Sequence, residues 1–152
     1  MLVATPTHFL ARSYRLTDDG VEVGWLHPSR VSMHRATLEL GLDSYSLLRD
    51  GLLGPFVLKS GEEVAAAADK TSAFRNRFQV AVGGRILPYE RTGFMGGTYN
   101  LRDEHGILGT VERRLFTRSI ETDLPDEIPL LERCFLLWLA YMSWKRDTAA
   151  SS

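Results

Sequence analysis

Residues 130–145 read Leu-Leu-Glu-Arg-Cys-Phe-Leu-Leu-Trp-Leu-Ala-Tyr-Met-Ser-Trp-Lys, and this run constrains the fold more than any other stretch. At helical spacing Leu131, Phe135, Trp138 and Met142 form one stripe and Leu130, Cys134, Leu137, Tyr141 and Trp144 a second, with Leu136, Leu139 and Ala140 between them. A helix that is apolar on nearly every side must be surrounded by protein or lipid, because a surface helix keeps one wet face. Spanning a bilayer takes about 20 apolar residues, and this run is shorter and broken by Glu132, Arg133 and Ser143. The sequence therefore predicts a helix threaded through a shell built by the preceding residues.

The chain has 152 residues, room for one domain with a substantial core. A 44% hydrophobic content, 24% charged residues and a formal net charge of -1 describe an ordinary globular protein and exclude wholesale attraction to nucleic acid, while leaving room for a local basic patch. The single cysteine, Cys134, has no internal disulfide partner and falls in the apolar helix, where it reads as a small hydrophobe. The first seven residues lack the basic region and apolar core of a secretory signal, so the expected location is the cytosol, including peripherally at membranes.

From Phe9 to about Ile120 the chain reads as short strands separated by turns. Phe9–Leu16 leads through Asp18-Asp19-Gly20 into Val21–Trp25, where Val21, Val23 and Trp25 are expected to face inward. His34–Leu40 and Leu42–Leu48 meet at Gly41, and Phe56–Lys59 and Glu63–Ala66 flank Ser60-Gly61. The alanines of 62–70 favour helix by propensity, but the position between Gly61 and the next strand favours a strand running into a loop. Phe78, Val80 and Val82 point one way and Arg75, Arg77 and Gln79 the other. Gly83-Gly84 turns into Arg85–Tyr89, where Pro88 suggests an edge or bulge. Thr92–Gly97 reads as an exposed glycine-rich connection, and Tyr99–Arg102 and Ile107–Arg113 bracket Asp103–Gly106.

A repeat runs through these strands: an aromatic, any residue, Leu, a polar turn ending in Gly, then a small residue. Copies begin at Tyr14, Phe56 and Tyr99, with a fourth at Tyr45. Repeated hairpins of one kind are how a closed antiparallel sheet is assembled. The entry Asp123-Leu124-Pro125-Asp126-Glu127-Ile128-Pro129 supplies acidic and proline start signals, so the helix is expected over about 127–145, with Asp126 and Glu127 at its positive end and Lys145 and Arg146 at its negative end.

Short strands with aromatic-x-Leu…Gly hairpins, a proline-bracketed entry and a final hydrophobic helix together resemble the tubby C-terminal-like superfamily, which includes the tubby domain, the LURP-one-related proteins and the phospholipid scramblases. The resemblance covers about Tyr14 to Lys145. It implies a mainly β fold: a closed antiparallel barrel of about twelve strands wrapped around the C-terminal helix, as one domain over residues 1–147 with 148–152 as a disordered tail. It also implies, for some members, phosphoinositide binding through basic residues of the outer wall. No residue of this chain is assigned to that site by a match.

Chemistry in the residues themselves points away from catalysis. His8, His27, His34 and His105 are scattered, no Gly-x-Ser-x-Gly elbow accompanies them, and no His or Cys pair has metal-ligand spacing. The carboxylate pairs Asp18-Asp19, Glu62-Glu63 and Asp103-Glu104 fall in turns or at strand ends, where they are expected to be well solvated and nothing in the sequence suggests a shifted pKa. No cofactor or metal is expected. The remaining candidate is basic: Arg75 and Arg77 on one strand, with Arg113, Arg114 and Arg118 on another that converges with it if the two pair, form a phosphate- or lipid-binding set. The expected function is a non-enzymatic module that docks on anionic phospholipid head groups or a protein partner through its outer wall, with no transmembrane span. The competing readings are a calycin-like barrel carrying a small apolar ligand, its helix packed outside, and a tail-anchored protein.

Overall fold

Antiparallel strands joined in sequence order leave two open edges unless the sheet closes on itself. The computed structural model, which describes residues 1–7, 13–71, 77–92 and 97–148 together with the helix backbone of 149 and 150, shows that closure. The strands are β1 (Leu2–Pro6), β2 (Tyr14–Asp18), β3 (Val21–Pro28), β4 (Arg35–Leu40), β5 (Asp43–Arg49), β6 (Phe56–Ser60), β7 (Glu63–Lys70), β8 (Arg77–Val82), β9 (Arg85–Thr92), β10 (Thr98–Asp103), β11 (Gly106–Arg113) and β12 (Ile120–Asp123). Each pairs antiparallel with its sequence neighbours, and β1 pairs with β12 through Leu2↔Thr122, Val3↔Glu121 and Ala4↔Ile120 to close the barrel. Residues 63–70 are strand throughout despite their alanines, and not a strand passing into a loop, because Ala68, Asp69 and Lys70 pair with Val80, Gln79 and Phe78 of β8.

The lumen is filled by α1 (Leu130–Ala150), a helix of 21 residues and so about 31 Å long. Cys134 to Ala140 are buried on every side of it. Aromatic rings key the helix to the wall: Trp138 meets Phe56 edge-on at 6.1 Å between centroids, and Trp144 meets Tyr99 at 5.9 Å. The Tyr89 hydroxyl donates to the Leu136 carbonyl at 2.8 Å. The helix thus runs inside the barrel and not against its outer face, and among the described residues no helix is long and apolar enough to cross a membrane.

Its limits differ from those expected. Pro129 disfavours helical geometry at Ile128, so Asp126 and Glu127 lie in a turn before the helix, and the Pro129 carbonyl accepts the first helical bond, from Arg133 N–H at 3.0 Å. The far end continues to Ala150, which places Lys145 and Arg146 short of the last turn.

The repeat holds in three copies, not four. Behind Leu16, Leu58 and Leu101 the ladder register shifts, leaving Val23, Ala65 and Leu108 as extra residues in β3, β7 and β11. A bulge of this kind bends and twists a strand, and the three lie four strands apart around the barrel. After two of them stands a glycine with backbone pressed against it: a Cβ on Gly24 would lie 1.8 Å from the Glu39 carbonyl oxygen, and one on Gly109 would lie 2.3 Å from that of Asp123. Tyr45 falls outside the pattern, half-buried on a strand with no register break. The bulge also corrects the expected phase of β3. Gly24 and Leu26 face inward, while Val21 is exposed and Val23 and Trp25 are half-exposed. Pro88 pairs with Gln79, but pairing toward β10 stops at Tyr89↔Leu101, so the missing N–H falls where the ladder has ended.

Cys134 is packed into the core, and burial pushes its thiol up to about 12. Such a thiol is inert until the barrel opens. Labelling of the native protein by a disulfide reagent at pH 8 is expected to follow the rate of global unfolding; modification within seconds, without denaturant, would show a looser core than this one.

Candidate anion-binding end of the barrel

Alternating strand direction sorts the connections into two sets. At one end lie tight turns, at Asp19-Gly20, Gly41-Leu42, Gly61-Glu62, Gly83-Gly84 and Glu104-His105. Positive φ at Gly20, Gly41 and Gly61, which glycine adopts without steric cost, makes such turns possible. At the other end are longer connections, and their bases are pinned by backbone bonds. Ser29 N–H donates to the Arg35 carbonyl at 2.9 Å, Asp50 to Pro55 at 2.8 Å and Arg114 to Ser119 at 2.8 Å. The helix enters at the turn end and leaves at the loop end, where Arg91 Nη1 meets Asp147 Oδ2 at 2.5 Å.

Charge follows the same division. The turn end carries Asp18, Asp19, Glu22, Asp43, Glu62 and Glu63, and further round Asp103 and Glu104. The loop end carries Arg30 and Arg35 beside β4, Arg49 at the end of β5 and Lys70 at the end of β7. Beyond them it carries Arg113, Arg114 and Arg118 around the β11–β12 connection and Lys145 and Arg146 on the emerging helix. Arg85 and Arg102 at the turn end and Asp50, Asp69 and Asp147 at the loop end are exceptions, and the net charge of -1 is the sum of two ends of opposite predominant sign.

A cavity of about 390 Å³ opens between the β11–β12 connection, the ends of β1 and β2, and the last turns of α1. Arg113, Arg114, Arg118 and Lys145 line it together with Tyr14 and Tyr141. The Arg113 guanidinium stands 5.2 Å from the centre of the Trp144 ring, which fixes one face of the planar group by cation–π attraction. Arg114 is held by Glu121 at 2.8 Å and Glu112 at 3.5 Å. Arg118 sits in the left-handed region at φ 59°, and its N–H donates to the Arg114 carbonyl at 2.9 Å. A non-glycine residue held there costs on the order of 1 kcal/mol, so the connection keeps this shape against its local preference. Burial pushes the Tyr14 phenol up, and Arg118 and Arg113 pull it partly back.

The basic surface continues around the helix exit. Lys145 and Tyr141 also border a second cavity of about 260 Å³ with Arg30, Met33 and Arg35, and Arg35 and Arg49 border a third of about 340 Å³ with His34 and Leu52. Burial lowers the His34 imidazole, and Arg49, Arg146 and Lys70 add to that shift. Burial likewise lowers the Lys70 ammonium, with Arg146 and Arg49 contributing. Burial is the larger cause of both shifts, and the like charges of Arg49 and Arg146 add to it in each case.

The arginines expected from sequence separate into two groups. Arg113, Arg114 and Arg118 meet around one cavity. Arg77 does not join them, because β8 and β11 are separated by β9 and β10, and its Nε is engaged by Glu90 at 2.7 Å on the outer wall. Arg75 lies outside the described residues, as do His8 and residues 93–96 of the glycine-rich connection. Sequence reading missed Arg30, Arg35, Arg49, Lys145 and Arg146 as members of the same end. The signal available was topological: in an up-and-down barrel every second connection shares one rim. Among the described residues, no three His, Cys, Asp or Glu groups gather as a metal site.

Comparison with protein-family models, with curated proteins and with solved structures finds no match for this chain.

Proposed function

We propose that the protein is a non-enzymatic binding module that grips phosphate-bearing anions at the loop end of its barrel, with anionic phospholipid head groups as the ligand class. The observation that carries this is the cavity bounded by Arg113, Arg114, Arg118 and Lys145. Guanidinium and ammonium groups stay charged at any physiological pH and donate several N–H bonds to phosphate oxygens, and the arginine fork does so in pairs. The resemblance to the tubby C-terminal-like superfamily supports a lipid ligand. Here the loop end is better supplied with cations than the outer wall, where Arg77 is paired with Glu90.

Vesicle co-sedimentation and titration with a soluble inositol phosphate test the reading together. Removing Arg113 and Arg118 as Arg113→Gln with Arg118→Gln is expected to weaken recovery on phosphoinositide-containing vesicles by about 2 kcal/mol, roughly thirtyfold, at about 1 kcal/mol per basic residue near an anionic surface. Arg77→Gln should leave recovery unchanged. Equal recovery on neutral and anionic vesicles, with no heat from inositol phosphate, rejects the proposal.

A further inference from the structure

The loop end carries a second feature that a soluble phosphate would not need. Each fully described connection there holds apolar side chains at its tip, pinned at the base and raised into solvent. Phe116 is fully exposed at 101% and Leu115 at 80% in the β11–β12 connection. Leu52 and Leu53 stand at 92% and 91% in the β5–β6 connection, and Val31 stands at 96% in the β3–β4 connection. Guanidinium groups flank these tips: Arg113 and Arg118 around Leu115-Phe116, Arg30 and Arg35 around Val31, and Arg49, followed by Asp50, before Leu52-Leu53.

Resting on the function proposed above, we infer that the protein docks end-on on a bilayer bearing anionic lipids, its apolar loop tips entering the interfacial layer and its helix axis standing across the membrane plane. The geometry favours a bilayer over a protein surface. The tips rise from separate loops with the basic cavities between them, so tips and cavities suit alternating acyl and phosphate groups better than one continuous apolar face. Charge selects this end. The turn end also shows single exposed aliphatic residues, but most of the charges around them are acidic: Leu42 is next to Asp43 and Val64 next to Glu63, with Ile86 beside Arg85 as the exception. An anionic surface repels that end and attracts the other. Apolar insertion beside basic residues adds the hydrophobic term to the electrostatic one, and reversible peripheral binding ordinarily needs both.

The test places a tryptophan at each end. Phe116→Trp and Leu52→Trp are expected to shift to the blue and to be quenched by lipids brominated near the head group in phosphatidylserine-containing vesicles, while Leu42→Trp at the opposite end is neither shifted nor quenched. The uncharged changes Leu53→Asn with Phe116→Asn should reduce vesicle recovery at least tenfold and leave inositol phosphate binding unchanged. Vesicle binding with unquenched tips, or quenching at Leu42→Trp, overturns the end-on inference while the phosphate-binding function stands. Loss of both vesicle and inositol phosphate binding by the unaltered protein sinks the function itself. A solution dimer that Leu53→Asn with Phe116→Asn dissolves would assign the tips to a second copy of this chain and overturn the inference too.

Discussion

Protein carrying Leu137→Asp or Trp138→Asp is expected to show no cooperative unfolding transition, because it does not reach the folded state. Leu137 is 1% exposed and Trp138 0%, at the centre of the lumen. Trp138 packs edge-on to Phe56 and tilted against Phe135, each at 6.1 Å. A large apolar side chain fully buried contributes about 1.5–3 kcal/mol, and an unpartnered carboxylate in its place adds several kcal/mol of desolvation. Whole domains are stable by only about 5–15 kcal/mol. The milder Trp138→Ala should cost about 3–5 kcal/mol and leave a weakened but cooperative fold. Circular dichroism in the near ultraviolet with a urea titration decides the matter. A native signal and a sharp midpoint for Leu137→Asp would mean that the barrel stands without its axle.

Asp18→Ala is expected to be nearly as damaging, for a different reason. Arg133, in the first turn of α1, is only 7% exposed; its Nε donates to the Ile128 carbonyl at 3.0 Å and its Nη1 reaches Asp18 at 3.3 Å. The pair ties the helix entrance to the end of β2. Removing one partner leaves a buried cation uncompensated, which typically costs about 3–5 kcal/mol. Replacing both, as Asp18→Ala with Arg133→Met, removes the stranded charge and should recover more than half of that loss. Denaturant midpoints for the two single variants and the pair give the coupling. If the pair proves as unstable as the sum of the singles, the ion pair is not what holds the entrance.

Much of this fold was legible because one constraint left few solutions. A helix apolar on all sides, preceded by short strands and turns, demands an enclosing sheet, and the repeat beginning at Tyr14, Phe56 and Tyr99 marks where that sheet bulges. What escaped reading follows from the same physics. The bulge at Val23 inverts the alternation that makes Val21, Val23 and Trp25 look inward-facing. Strand β1 is five residues long and ends in proline, too short for its own period to show, yet it closes the barrel on both sides. Of the site, Arg113, Arg114 and Arg118 are adjacent in sequence and so were visible. Their true neighbours, Lys145 and Arg30, come from elements far along the chain that meet only because alternate connections share a rim. Arg77 looked equivalent on its strand, but two intervening strands carry it away.

The predominance of acids at one rim and of bases at the other gives a nearly neutral molecule a dipole along the barrel axis. On the docking proposed above, an anionic bilayer exerts a torque before a net pull, and that torque swings the emerging helix with Lys145 and Arg146 toward the surface. The effective range of this steering is the Debye length, about 8 Å at physiological salt, so orientation is settled in the last moments of approach.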